Sequence, residues 1–499
     1  MFELPAAIPV AIGTLDALIV VFYLAATTLL GIWLGRGQKN NRDYFLAGHK
    51  LPTWALLLSI VATETSTVTF LSVPGKSFVE NGNFTFLQIA IGYIIGRFAI
   101  ILFLLPAYSR GEMLSAYHVM ESRFGLTTRR LASLVFLVTR NLADGLRLYL
   151  SAVALDIALG GGLITSIVVM TIITAIYSCA GGVKSVVWND CVQFAVYMAG
   201  AIATVWIIVA NLPAGWNQLA EFGHATHRWQ FFDFDPSLTK SSVTFWSGLF
   251  GGAFLSLATH GVDQMIVQRY LCARDQKSAS WALGLSGFVV LAQFALFLLI
   301  GVALACFYST LPEVGAIPRE GDKAFMTFVV DHMGIGFRGL ILAAVLAATM
   351  SNLSASFNSS ASSLMSDWLG RWLHTVDDRK GLRMARLLTV GSAVVHAAVA
   401  IAVYEIGLQK SVVDAVLSIA GFAVGLLLGL YALGLISRRV SQNTALAAFT
   451  IGVVVTCFVA FKTPISGFWY TLVGSSVIVI SGLILSAIFD PPPAATSKL

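Results

Sequence analysis

Residues 59–75 read SIVATETSTVTFLSVPG, an apolar, helix-like run that loses its character midway. Hydroxyls, a glutamate and β-branched residues fill positions 63–69, and proline and glycine follow at 74 and 75. Such residues bond to nearby backbone or lack the donor a helix needs, so the helix is expected to break here. A break at bilayer depth is tolerated only where it is buried in protein or lines a water-filled cavity. A second interrupted segment, SGLFGGAFLSLATHGVDQ, lies at 247–264. Broken helices at corresponding places in two halves point to a transporter built of inverted repeats, whose freed carbonyls can hold a cation.

The composition around these segments belongs to an integral membrane protein. Of 499 residues, 57% are hydrophobic and 11% charged, and mean hydropathy is +0.82. Soluble domains carry about 25% charged residues. About thirteen stretches of roughly 20 apolar residues recur along the chain, each long enough to cross a bilayer as a helix. They give an all-α polytopic domain over 1–499, with an extra N-terminal helix at 13–34, a first repeat at 52–210, a second at 243–435 and two extra helices at 443–489. An odd count puts the termini on opposite sides. Basic loops such as RGQKNNRDYFLAGHK, RYLCARDQK, RWLHTVDDRKGLRMAR and SRRV fall on one side and hold most of the 31 Lys and Arg residues. The positive-inside rule then places the N-terminus outside and the C-terminus in the cytoplasm of a multi-pass plasma (inner) membrane protein.

That same bias accounts for the net charge of +6, so no nucleic-acid partner is expected. Five cysteines without CxxC spacing give neither a disulfide framework nor a metal site. No nucleophile, metal or phosphate-loop signature points to an enzyme. The stretch MFELPAAIPVAIGTLD lacks a basic region ahead of its apolar run, so the first span is expected to stay as an anchor. Segments 211–242 and 309–337 read as outside connectors, with gating caps as the alternative.

A serine-rich run, AATMSNLSASFNSSASSLMSD, occupies 347–367. On a helix Ser351, Ser354, Asn358 and Ser362 share a face, which suits either a cation-coordinating stripe or close helix packing through small residues. Glu64 inside the first break needs a cation, a proton or a donor. Asp144 and Arg147 are three apart and can neutralise each other, with Arg140 nearby; an arginine here could instead grip a substrate carboxylate.

Four strings carry a family resemblance: DYFLAGHKLPTWALLLSIVAT at 43–63, AGGVKSVVWNDCVQ at 180–193, DQMIVQRYLCARD at 263–275 and MSNLSASFNSSAS at 350–362. In this order they resemble the sodium/solute symporter family over about residues 10 to 440. The resemblance implies a five-plus-five inverted repeat like that of the bacterial leucine transporter, with flanking helices. It implies a sodium site made of Ala62, Thr65, Ala348, Ser351 and Asn352, where Asn352 departs from the usual Ser or Thr. It implies, for some members, a second sodium site, here Asp190 with Ser351 and Ser354, although Ala355 replaces a serine seen in some members. Asp190 has the alternative of capping its helix. The substrate-contacting positions implied are Glu64, Ser66, Thr69, Phe84, Gln88, Ser256 and Thr259, together with Arg140 or Arg147. Packing for Phe84 and an interhelical hydrogen bond for Gln88 are the alternatives. The expected activity is symport of a small polar organic solute, carboxylate-bearing or zwitterionic, with sodium as coupling ion, two ions favoured, no cofactor, and the lipid bilayer as surroundings. A sugar or polyol symporter is the nearest alternative, and a membrane sensor the alternative of another class.

Overall fold

A computed structural model describes residues 13–108, 113–159, 161–310, 321–373, 375–407 and 410–491. Parts of the N-terminal stretch and of segment 309–337 therefore lie outside the described residues. The described regular elements are helices, with one isolated bridge between Leu51 and Ala273. The principal ones are α1 (Thr14–Leu34), α2 (Thr53–Glu64), α3 (Thr67–Phe78), α4 (Phe84–Tyr108), α5 (Leu126–Leu159), α6 (Leu163–Ala210) and α7 (247–261). They continue as α8 (Gln264–Leu271), α9 (Gln276–Thr310), α10 (Phe337–Trp368), α11 (Asp378–Ile406), α12 (Lys410–Ile436), α13 (Gln442–Lys462) and α14 (Gly467–Phe489).

By length and apolarity, eight helices among the described residues can cross a bilayer, and the bent pair α2 and α3 would make a ninth. The difference from about thirteen expected spans has physical causes. α5 is long enough but studded with Arg129, Arg130, Arg140, Asp144 and Arg147, α7 is short, and α6 counts once although its 48 residues suffice for two crossings. α6 bends at Gly182, whose φ of 52° and ψ of −151° suit glycine alone. A Cβ there would also lie 2.3 Å from the Tyr44 carbonyl oxygen. The two halves of α6 thus diverge where the chain of 41–46 crosses them.

α10 is the axis of the molecule. In its most apolar window 94% of the residues are buried, and it packs along α6, α5 and α11. Its serines are therefore interior rather than lipid-facing. α4 lies along α7, α3 along α9, and α14 against α12 and α13.

Both expected breaks are present. α2 and α3 meet at 64°. The second segment stays helical through its glycines and breaks only at Val262–Asp263, where Asp263 caps α8 by accepting from Met265 N at 2.9 Å. Its glycines serve close approach instead: a Cβ on Gly252 would lie 2.7 Å from Ile89 O. The segment 211–242 does more than connect. Arg228 donates to the carbonyls of Phe78 (3.2 Å), Val79 (3.1 Å) and Gly82 (3.2 Å), pinning the end of α3.

Candidate functional site

The break between α2 and α3 is built by its hydroxyls. Thr65 and Ser66 are extended, the Thr65 hydroxyl donates to Val61 O at 2.9 Å, and Ser66 caps α3 by accepting from Thr69 N at 3.3 Å. Among the described residues no backbone N–H reaches the Ala62 carbonyl, which the break sets free. α10 faces it. Asn352 donates its amide to Thr63 O at 2.9 Å, while its own Oδ1 is buried without a partner. The freed Ala62 carbonyl and the orphaned Asn352 amide oxygen are oxygens of the kind that a hard, weakly charged cation such as sodium takes.

Ser351 points one step further along α10 and donates to Asp190 Oδ1 at 2.7 Å. The other Asp190 oxygen accepts from Ser59, from Thr63 at 3.4 Å and from the Arg269 guanidinium at 3.3 Å. Asp190 and Arg269 are both fully buried. Asp190 is thus the hub of a closed network rather than a helix cap. Ser354 turns back to Ser351 O at 3.1 Å. Lower on the stripe, Asn358 accepts from Gln268 at 2.8 Å and Ser362 donates to Leu114 O at 2.7 Å, so that half of the serine-rich face holds helices together.

Beside this lies a cavity of about 240 Å³ between α2, α3, α4, α5, α7, α8, α10 and α12. Glu64, Ser66, Thr69, Arg140, Arg147 and Thr259 line it. Three of the expected contacts do not. Gln88 donates to Thr85 O (3.0 Å) and Val243 O (3.2 Å) and accepts from Asp233 N (3.1 Å), which fastens the end of segment 211–242 to α4. Phe84 packs on Trp229 and Phe231. Ser256 donates to Tyr93 O at 3.1 Å across the α4–α7 contact.

The cavity's charges are paired. Glu64 is bonded to the fully buried Arg97 and lies 3.3 Å from His260 Nε2. Arg140 is bonded to Asp263 and lies 3.7 Å from Asp144. Arg147 is bonded to Asp144 as its spacing suggests, yet its side chain keeps 27% exposure against 13% for Arg140. Sequence reading did not single out Arg97, His260, Asp263 or Arg269. An arginine inside the apolar span of α4 was itself the signal, since a charge at that depth requires a partner.

A model of the "Sodium:solute symporter family" matches residues 44–452. The chain belongs to the sodium:solute symporter family. Like the relatives so named, this symporter is a sodium-coupled secondary transporter and not an enzyme. It is 27% identical over 489 residues to the sodium/sialic acid symporter SiaT of Proteus mirabilis, covering 96% of each chain. It is 27% identical over 457 residues to sodium-coupled monocarboxylate transporter 1 of Xenopus laevis, covering 90% of this chain and 72% of that one. A solved structure of a Na+-coupled sialic acid symporter in a substrate-bound outward-open state superposes with a TM-score of 0.87 at 26% identity, covering 96% and 99%. The nucleobase-cation-symport-1 transporter MHP1 gives 0.59 at 16% identity, covering 91% and 96%, a likeness of fold alone.

Proposed function

We propose that this symporter carries a small organic monoanion, a polyhydroxylated acid or a monocarboxylate, together with one sodium ion. The observation that carries the substrate class is Arg147. Among the cavity's arginines it is the most exposed, and Asp144 is the one partner of its guanidinium among the described residues, so further donors of its fork remain for a ligand carboxylate. Hydroxyls of Ser66, Thr69, Thr139 and Thr259 line the same cavity and suit a substrate rich in hydroxyl groups. Relatives named for sialic acid and for monocarboxylates agree with a carboxylate. Glu64 is assigned to holding Arg97 in place, not to a substrate amine, because its charge is already matched.

The sodium ion is assigned to Ala62, Thr65, Ala348, Ser351 and Asn352, supported by the freed Ala62 carbonyl and the orphaned Asn352 oxygen. At the second position, formed by Asp190, Ser351 and Ser354, the Arg269 guanidinium supplies the positive charge that a second sodium would bring. The paired charges of the cavity leave it neutral, so a monoanion and one sodium fill it without net charge.

The thirteen crossings are taken to be α1, the α2–α3 pair, α4, α5, the two halves of α6, α7, α9, α10, α11, α12, α13 and α14. Those from α2 to the end of α6 and from α7 to α12 form the five-plus-five repeats, with the N-terminus outside and the C-terminus cytoplasmic. Thermal unfolding of purified protein tests the substrate assignment. In sodium chloride, sialic acid or a monocarboxylate is expected to raise the midpoint and glucose is not. A shift with glucose alone would reverse the assignment.

A further inference from the structure

We infer that the groove between α1, the first half of α6 and α11 is a binding site for one anionic phospholipid of the leaflet next to the basic loops. The groove holds about 600 Å³. Its apolar walls are Ile32, Ile172, Ile176 and Val390, each between 38% and 52% exposed. Two arginines, Arg36 and Arg386, line it as well. Arg36 follows directly on the end of α1, and Arg386 lies one turn before Val390 on α11, so the charges stand toward the basic-loop end of an otherwise apolar slot.

Neither guanidinium has a carboxylate within ion-pair distance among the described residues, and Arg386 Nε is buried without a hydrogen-bond partner. An arginine near a helix end reaches the headgroup level, where a phosphate matches its planar fork in two contacts. Acyl chains cover the isoleucine wall at the same time. Basic pockets between helices on the cytoplasmic side are the general form of such sites.

A second lipid-facing groove serves as an internal comparison. The slot bounded by Leu137, Leu364, Leu387 and Val395 is of similar size, about 480 Å³, but has no charged residue in its lining. It offers acyl contact without a headgroup anchor. The floor of the proposed site also explains its place. α1 lies backbone-to-backbone on α6, since a Cβ on Gly35 would sit 2.4 Å from Ala180 O. Gly182, where α6 bends, is two residues away, so a lipid wedged here holds α1 against the bend of α6.

The test uses the purified full-length chain, stripped of lipid, with an equimolar mixture of phosphatidylglycerol and phosphatidylcholine of identical acyl chains. Bound lipid is counted by native mass spectrometry. Two arginines predict a preference for phosphatidylglycerol of about thirtyfold, on the order of fivefold each. Arg36→Gln with Arg386→Gln removes the preference, whereas Arg379→Gln with Arg383→Gln, on exposed positions of the same helix, keeps it. Ile176→Trp fills the apolar half and lowers bound lipid with both arginines intact. Glycerol 3-phosphate, which has no acyl chain, does not compete. Equal binding of the two lipids by the unaltered protein, a preference that survives loss of Arg36 and Arg386, or competition by glycerol 3-phosphate overturns the assignment. A sodium-induced thermal shift retained in each variant shows that it is folded.

Discussion

Arg147 and Glu64 face one cavity, but their surroundings give them different work. Glu64 is held by Arg97 and His260, so its removal exposes a buried charge rather than a ligand position. Breaking a buried pair from one side costs about 3–5 kcal/mol. Glu64→Gln is therefore expected to lower the thermal midpoint strongly, and Glu64→Gln with Arg97→Met to recover most of it. Equal stability of Glu64→Gln and the unaltered protein would refute this. Arg147→Ala should cost less stability, because Asp144 keeps Arg140 at 3.7 Å, and should weaken substrate binding by roughly ten- to hundredfold, the worth of a charge-assisted hydrogen bond. If Arg147 only neutralised Asp144, removing both would restore transport, and uptake by the double variant decides between the two. The Asp144–Arg147 pair was legible from spacing, and so was the demand of Glu64 for a partner. The partner was not, because Arg97 is 33 residues away and only the shared packing of α2 and α4 on α9 brings them together.

At the scale of elements, the molecule depends on where helices stop. The string of threonines, serine and glutamate at 63–69 announced the first break, because each side chain there competes for backbone hydrogen bonds. The segment 247–264 was read as interrupted, and its break falls within it, at Val262–Asp263, beyond most of its glycines. They permit contact with α4 and leave the helix whole until Val262. The serine-rich run was legible as an interior helix, but the division of labour along it was not. Asn352 bonds to the carbonyl of Thr63 beside the break and Ser351 to Asp190, while Asn358 and Ser362 bind neighbouring segments. The bend of α6 at Gly182 makes a sharp prediction. Gly182→Ala must place a Cβ against Tyr44 O in a conformation that costs an L-residue about 1–3 kcal/mol, besides the clash. Its yield of monodisperse protein on size exclusion should fall well below that of Gly391→Ala, where an added Cβ meets nothing within 4 Å. An undiminished yield and thermal midpoint would show that the bend is not needed.

For the whole molecule, charge balance is the organising fact. Three arginines and three carboxylates neutralise one another around the cavity, and Asp190 is matched by Arg269 beneath it. With one sodium and a monoanion per cycle, as proposed, no net charge would move, so a tenfold sodium gradient, worth about 1.4 kcal/mol, would accumulate the solute about tenfold whatever the membrane potential. A second sodium would add its own gradient term and about 2.3 kcal/mol per 100 mV. The most direct measurement is simultaneous uptake of 22Na+ and a 14C-labelled carboxylate, identified by the thermal screen, into sealed proteoliposomes held at a set potassium potential. The account predicts one sodium per solute, no response to the potential, the same ratio in Asp190→Asn, and a raised sodium requirement in Ser351→Ala. Two sodium ions per solute, falling to one in Asp190→Asn, or solute uptake without sodium flux, would contradict it.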